Sequence, residues 1–204
     1  MTRGERAWRL GFLASHGGSN MQAIVDACTA GRIPAVPAVV ISNNSESQAL
    51  QRARRERIPA YHLSSHTHPD PAALDREIRR VLGDHGVTLL VLAGYMKLLG
   101  PATLAAYRGR ILNIHPALLP KFGGLGMYGR RVHEAVLAAG EAVTGVTVHV
   151  VNEQYDRGPI LAQRQVPVLR GDTVDALAAR VLTEEHRLYA ETIRKICEGD
   201  IRLD

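Results

Sequence analysis

Short apolar runs alternate, along the first half of the chain, with segments whose apolar residues recur at helical spacing. Five apolar runs predict buried strands, at residues 8–14, 36–41, 60–63, 89–93 and 111–115. Three amphipathic segments predict helices, at residues 21–27, 47–56 and 71–82. A further helix begins at Pro101, because proline suits the first turn of a helix. This alternation predicts an α/β fold with an open, mostly parallel sheet and helices on both faces.

The pattern changes after residue 115. Residues 144–151 alternate apolar and polar positions as a strand does, and residues 160–168 form a second β-like run. Residues 173–197 predict one long helix, with Asp172 as its N-cap. With 204 residues, the chain is expected to form a single domain, 1–204.

Composition narrows the class of protein. Hydrophobic residues make up 46% and charged residues 22%, as in globular proteins that bury a full core. The apolar stretch near the N-terminus is broken by polar residues and glycines, so we expect no signal peptide and no membrane span. Cys28 and Cys197 lack the spacing of a disulfide framework or a zinc site. We therefore expect a cytoplasmic protein without a metal.

The net charge of +5 is compatible with nucleic acid, a membrane surface or small anionic substrates as partners. Aromatic residues are only 4% of the chain, which disfavours a stacking platform for single strands. The densest basic run, Arg52, Arg54, Arg55 and Arg57, is typical of a solvated helix face. We expect small-molecule substrates and no nucleic-acid or membrane partner, and the protein to be a monomer or a homodimer.

Open α/β sheets bind ligands beyond the carboxyl ends of their strands. Four loops satisfy this topological rule, at residues 15–20, 94–97, 113–129 and 152–158. In the first of them, Gly17, Gly18, Ser19 and Asn20 stand between a strand and a helix, where free N–H groups favour a phosphate. The pattern lacks the lysine of a P-loop and the full dinucleotide fingerprint. The alternative is a plain tight turn in which Ser19 is the N-cap.

Asn113 and His115 share one face of a strand, because side chains alternate along it. An amide and an imidazole together can stabilise an oxyanion and move a proton. Asp156, in a later loop, could face His115 and raise its pKa. The alternatives are a satisfied buried histidine and a turn aspartate. We expect His149 to be packed or to support a catalytic group, and no serine or cysteine to act as a covalent nucleophile.

These residues resemble the folate-dependent formyltransferases, and among them the glycinamide ribonucleotide formyltransferases of purine biosynthesis. The matching segments are Gly-Ser-Asn at 18–20, Leu-Ala-Gly-Tyr-Met at 92–96, Leu-Asn-Ile-His-Pro-Ala-Leu-Leu-Pro at 112–120, Thr-Gly-Val-Thr-Val-His at 144–149, Asp-Arg-Gly-Pro-Ile at 156–160 and Glu-His at 185–186. They follow the family's order over nearly the whole chain. The resemblance implies a Rossmann-like formyltransferase fold, with a phosphate-binding half at 8–110 and a catalytic, folate-binding half at 111–204.

The resemblance also implies direct transfer of the formyl group of 10-formyltetrahydrofolate, a cosubstrate, to the amine of 5-phosphoribosylglycinamide. Its implied catalytic residues are Asn113, His115 and Asp156. Its implied substrate-binding residues are Gly18, Ser19, Asn20 and Glu185. Its implied folate-binding residues are Met96, Lys97, Leu98, Leu99, Asn113 and Val151.

Two departures from the family's pattern concern the folate side. The segment at 121–131 is longer and richer in glycine, and we predict a lid in which Tyr128, Arg130 or Arg131 closes over ligand. An arginine that some members use for folate has no counterpart in the segment 65–71. The alternatives are another folate-dependent formyltransferase, such as methionyl-tRNA formyltransferase, a formyltetrahydrofolate deformylase, and a non-catalytic phosphate-binding module.

Overall fold

A seven-stranded sheet organises the chain, and the computed structural model describes residues 7–203 of it. The strands are β1 (Trp8–Leu13), β2 (Ala35–Ser42), β3 (Ala60–His62), β4 (Leu89–Leu92), β5 (Ile111–His115), β6 (Val143–Val150) and β7 (Ile160–Pro167). The helices are α1 (Ser19–Thr29), α2 (Gln48–Arg55), α3 (Pro71–Asp84), α4 (Pro101–Ala106), α5 (Arg130–Ala138) and α6 (Val174–Glu198). The predicted strands and helices are all present, with ends that differ by a few residues. The charged stretch at residues 1–6 lies outside the described residues.

The strand order is β3-β2-β1-β4-β5-β6-β7. The first five strands pair in parallel, while β6 runs antiparallel to both β5 and β7. The predicted α/β class with a mostly parallel sheet is therefore confirmed, and the change of pattern after residue 115 marks the point at which strand direction reverses.

Each face of the sheet has its own hydrophobic core, because successive side chains of a strand point to opposite faces. In β1, Leu10 and Phe12 belong to a core shared with α1, α2, α5 and α6, whereas Leu13 belongs to a core shared with α3. Tyr189 of α6 is fully buried in the first core, and its hydroxyl lies 3.1 and 2.9 Å from the carbonyl oxygens of Leu92 and Leu112. This contact anchors the long helix to the last residue of β4 and to the second residue of β5.

The N-cap of α6 differs from the expectation. Thr173 is the N-cap, and its hydroxyl accepts a hydrogen bond from the N–H of Ala176. Asp172 instead accepts from the Leu169 N–H and pairs with the guanidinium of Arg180. Both residue types are good caps, and the ion pair with Arg180 commits Asp172 to another partner. Within residues 7–203, no helix has the length and apolarity needed to cross a membrane.

Candidate active site

A cavity of about 460 Å³ opens at the carboxyl ends of the parallel strands. It is lined by residues of all four predicted loops together with Glu185 of α6. The first two loops are tied together by Ser15, whose hydroxyl accepts from the Met96 N–H at 2.7 Å and donates to the Asn43 amide oxygen at 2.6 Å. The topological rule therefore located the walls of this cavity correctly.

Asn113 and His115 lie on the cavity wall at the end of β5 and are joined through two further side chains. Asn113 Nδ2 is 3.2 Å from His149 Nε2, which is 3.4 Å from Asp156 Oδ1. The other carboxylate oxygen, Oδ2, is 3.6 Å from His115 Nδ1. The result is a continuous polar row, Asn113–His149–Asp156–His115, in which the carboxylate lies between two imidazoles. As expected, His149 is buried and supports this group from the neighbouring strand β6.

Asp156 reaches this position because its loop folds back over the sheet. Strand β6 is antiparallel to β5, so its last residues lie beside the start of β5, away from the cavity. The chain turns sharply at Gly158, where a Cβ would be 1.7 Å from the Val150 carbonyl oxygen. Asp156 itself adopts a left-handed backbone with φ 52°, and its carboxylate accepts the Gly124 N–H at 2.9 Å. The backbone at Gly158 thus approaches that of Val150 too closely for any side chain, in the loop that brings this carboxylate to the two histidines.

The Asp156 charge acts to raise the pKa of His115, as expected, but the net shift of that pKa is downward. Burial lowers the pKa of His115, and this effect outweighs the opposing influences of the Asp156 charge and of the Phe122 carbonyl, which lies 2.8 Å from Nε2. Burial alone would raise the pKa of Asp156, but hydrogen bonds from His149 and the Gly124 N–H, with the nearby imidazoles, lower it. The carboxylate is therefore ionised and His115 loses its proton more readily than a free imidazole.

Of the glycine loop, Asn20 lines the central cavity, and Gly18 and Ser19 precede it at the start of α1. Gly18, not Ser19, is the N-cap of α1, and no side chain caps this helix. Asn20 donates from Nδ2 to Glu185 Oε2 at 2.6 Å, and burial raises the pKa of that carboxyl despite the hydrogen bond. Within residues 7–203, the backbone N–H groups of Gly18, Ser19 and Asn20 donate to no protein acceptor. An uncapped helix N-terminus with free amides is suited to an anion.

The expected folate-binding residues border two further cavities besides the central one. Met96 and Lys97 line the central cavity, and Lys97, Leu98 and Leu99 line an adjoining one of about 790 Å³, which the segment 65–71 also borders. Met96 and Leu98 are exposed apolar side chains, whereas Leu99 is buried. Val151 lies elsewhere, on a cavity of about 290 Å³, while its N–H donates to the Ile111 carbonyl.

The glycine-rich segment 121–131 covers one side of the central cavity. Tyr128 and Arg131 line it, with the Arg131 guanidinium 5.3 Å from the centre of the Tyr128 ring. Arg130 pairs instead with Glu134 and Asp175. Of the three residues expected in a lid, two are therefore in position to contact a bound ligand.

Neither thiol of the chain is suited to covalent catalysis. Cys28 and Cys197 are free and half-buried on helices, and burial raises the pKa of Cys28 to about 11 and that of Cys197 to about 12. Both are neutral thiols at physiological pH, and the nucleophile of cysteine enzymes is the thiolate. Within the described part of the chain, no group of three or more His, Cys, Asp or Glu side chains is arranged to hold a metal ion.

Sequence reasoning missed one residue at this site. Arg52, interpreted as part of a solvated basic run, donates from Nε to the Gly17 carbonyl at 2.9 Å. Its contact depends on the packing of α2, in which the N–H of Ala49, one turn before Arg52, donates to the His16 carbonyl at 3.0 Å, and no sequence pattern marked it. Residues three apart share a helix face, so a helix that packs on the loop through Ala49 also presents Arg52 to it.

Comparison with known proteins adds an independent line of evidence. The formyl transferase family model matches residues 8–193. The chain is 42% identical to the chloroplastic phosphoribosylglycinamide formyltransferase of Arabidopsis thaliana, over 97% of this chain and 68% of the relative. It is 38% identical to the phosphoribosylglycinamide formyltransferase of Escherichia coli, over 94% of this chain and 88% of the relative.

A solved structure supports the same assignment. The crystal structure of glycinamide ribonucleotide transformylase 1 from Symbiobacterium toebii superposes with a TM-score of 0.91 at 44% identity. The match covers 99% of this chain and 92% of that one. The chain therefore belongs to the formyl transferase family and, within it, to the phosphoribosylglycinamide formyltransferases.

Proposed function

We propose that this enzyme transfers the formyl group of 10-formyltetrahydrofolate to the amine of 5-phosphoribosylglycinamide, with Asn113, His115 and Asp156 as its catalytic residues. The observation that supports this most directly is the polar row Asn113–His149–Asp156–His115 on the wall of a cavity that also holds an uncapped helix N-terminus. A non-catalytic phosphate-binding module needs the glycine loop alone and has no use for a buried carboxylate between two imidazoles. We place the reaction in the cytoplasm.

In the proposed mechanism the substrate amine attacks the formyl carbon directly. The formyl oxygen becomes an oxyanion, which the Asn113 amide and the protonated His115 imidazole stabilise. One proton leaves the attacking nitrogen, and the folate nitrogen receives one as the carbon–nitrogen bond to the formyl group breaks. Burial lowers the pKa of His115, and the Asp156 charge partly offsets this effect. Asp156 therefore favours the charged imidazole when the oxyanion forms.

Substrate binding is assigned to both ends of the cavity. The N–H groups of Gly18, Ser19 and Asn20 hold the phosphate, and the Glu185 carboxylate contacts the glycinamide end of the acceptor. The folate is bound along Met96 to Leu99, where apolar side chains border the central cavity and its neighbour. Lys97 lines both cavities and supplies a positive charge for a carboxylate of the cosubstrate.

The first experiment is a formyl-transfer assay with purified protein, 10-formyltetrahydrofolate and three acceptors. These are 5-phosphoribosylglycinamide, glycinamide without the phosphoribosyl group, and initiator methionyl-tRNA. We expect transfer to the first acceptor. Transfer to the tRNA, or release of formate without any acceptor, would assign the chain to methionyl-tRNA formyltransferase or deformylase activity instead.

Substitution of Asn113 tests the catalytic assignment. Loss of one oxyanion donor costs about 100- to 1,000-fold in turnover, on the order of 3–4 kcal/mol, so Asn113→Ala is expected to fall in that range. Asp156→Asn should depress turnover and leave the fold intact, as judged by circular dichroism. Wild-type turnover in Asp156→Asn would remove this residue from the mechanism.

A further inference from the structure

Arg52 is held against the candidate phosphate loop by the packing of α2. Its Nε donates to the Gly17 carbonyl at 2.9 Å, and the N–H of Ala49, one turn earlier, donates to the His16 carbonyl at 3.0 Å. A guanidinium has five N–H donors in a rigid fork, of which the Gly17 contact uses one. The residue is half-buried.

The charge of Arg52 is uncompensated. Among residues 7–203, no carboxylate lies within 4.0 Å of its guanidinium, whereas Arg80, Arg164 and Arg180 each pair with at least one. An arginine fixed at a loop by one N–H, with its remaining donors and its full charge unpaired, is in the state expected of a group that binds an anion. Arginine is also the side chain whose geometry best matches a phosphate.

A third element converges on the same loop. His186 of α6 follows Glu185, which accepts a hydrogen bond from the Asn20 amide. The positive charge of Arg52 contributes to the lowered pKa of His186, so the two side chains are near each other. Burial, together with that charge, lowers the pKa of His186, so its imidazole is neutral at physiological pH. The Arg52 guanidinium is therefore the group that brings a full positive charge to this edge of the loop.

We propose that Arg52 binds the phosphate of the acceptor substrate, opposite the free N–H groups of Gly18, Ser19 and Asn20, and so selects phosphorylated acceptors. This proposal rests on the proposed function, because it concerns the same acceptor and the same loop. It makes Arg52 a determinant of acceptor affinity and not of the chemical step.

The test compares Arg52→Gln with Arg54→Gln. The first variant removes the charge but keeps an N–H donor for the Gly17 carbonyl, and the second removes an exposed arginine from the same helix. Steady-state kinetics are measured with 5-phosphoribosylglycinamide and with its dephosphorylated riboside, and inorganic phosphate serves as an inhibitor. Thermal unfolding of both variants checks that they are folded.

For Arg52→Gln we expect KM for the phosphorylated acceptor, and the inhibition constant of phosphate, to rise about tenfold or more, with kcat within about twofold. The kcat/KM for the riboside should be unchanged, and Arg54→Gln should behave as wild type. An unchanged KM in Arg52→Gln, or an equal rise for both acceptors, would overturn the proposal, since the second result shows that Arg52 only anchors the loop.

Failure of the proposed function gives a different result. If the wild-type protein formylates no phosphoribosylglycinamide, the proposed function fails, and binding of inorganic phosphate measured by calorimetry still tests Arg52. Weaker phosphate binding in Arg52→Gln, with Arg54→Gln unchanged, would then support the role of Arg52. Equal phosphate binding in all three proteins would overturn it.

Discussion

Gly18 is the residue at which the structure and the proposed function of the glycine loop are most closely linked. It is the N-cap of α1 and has a left-handed backbone, with φ 67°. A Cβ at this position would be 2.8 Å from Ala49 Cβ and 2.9 Å from Ala49 Cα. We therefore predict that Gly18→Ala is strongly destabilising.

The magnitude has two contributions. A left-handed backbone costs an alanine about 1–2 kcal/mol. Overpacking against a neighbour costs about 1–3 kcal/mol, and here the neighbour includes helix backbone, which cannot move without shifting α2. Together they lower the free energy of unfolding by about 2–5 kcal/mol. For a domain of this size that corresponds to a fall in Tm of roughly 4–20 °C.

Gly17 provides a matched control one residue away. A Cβ there meets no atom within 4 Å, and the backbone has no positive φ that would disfavour an alanine. Gly17→Ala should therefore leave the free energy of unfolding within about 1 kcal/mol of wild type, because Gly-to-Ala exchange at a compatible site is neutral to mildly stabilising. Urea unfolding followed by circular dichroism measures both variants.

The same pair of variants tests the loop in catalysis. Gly18→Ala displaces the N–H groups proposed to hold the phosphate, so KM for the phosphorylated acceptor should rise, while Gly17→Ala should retain a KM near that of wild type. Equal stability of the two variants would refute the reasoning, since it would mean that α2 yields to the added methyl group at no cost.

Three further predictions concern buried ionisable groups. Burial raises the pKa of Glu185, so the folded protein binds this proton more tightly than the unfolded chain, and that stabilisation is lost as pH rises through the folded pKa. The gain in stability of Glu185→Gln over wild type, measured by urea unfolding, should therefore be larger at pH 8 than at pH 4. The opposite order would contradict this prediction. The buried carboxylate of Asp75 accepts hydrogen bonds from two N–H groups of α4 and from the Thr103 hydroxyl. Asp75→Ala should therefore lower the free energy of unfolding, measured thermally or in urea, by about 2–4 kcal/mol. A loss below about 1 kcal/mol would show that solvent replaces these hydrogen bonds. The Asp156 charge partly offsets the effect of burial on the pKa of His115. NMR titration should therefore give His115 a pKa below its ordinary value in wild type and a still lower pKa in Asp156→Asn. A higher pKa in the variant would show that another group controls this imidazole.

Local patterns carried enough information to predict the fold class and the loops of the site. The apolar runs correspond to the strands because a buried parallel strand needs apolar residues on both faces, and the rule for carboxyl ends then places the loops at residues 15–20 and 94–97 beside Asn113. Contacts that depend on packing between distant elements could not be predicted from these patterns. The pairing of Asp172 with Arg180, which leaves Thr173 as the cap, and the contact of Arg52 with the glycine loop both belong to this class.

Asp156 shows most clearly why the site exceeds what local patterns predict. The rule for carboxyl ends applies to parallel strands, yet this aspartate follows β6, which is antiparallel and ends beside the start of β5. Its actual position depends on the backbone approach at Gly158 and on its own left-handed conformation. The burial of His115 at this site explains the net direction of its pKa shift. A nearby carboxylate raises the pKa of an imidazole because it stabilises the charged form. Burial of His115 destabilises the charged form by more than Asp156 stabilises it, so the net shift of the His115 pKa is downward. A negative charge that develops beside the imidazole, as on an oxyanion intermediate, acts in the same direction as the Asp156 charge and favours the protonated form.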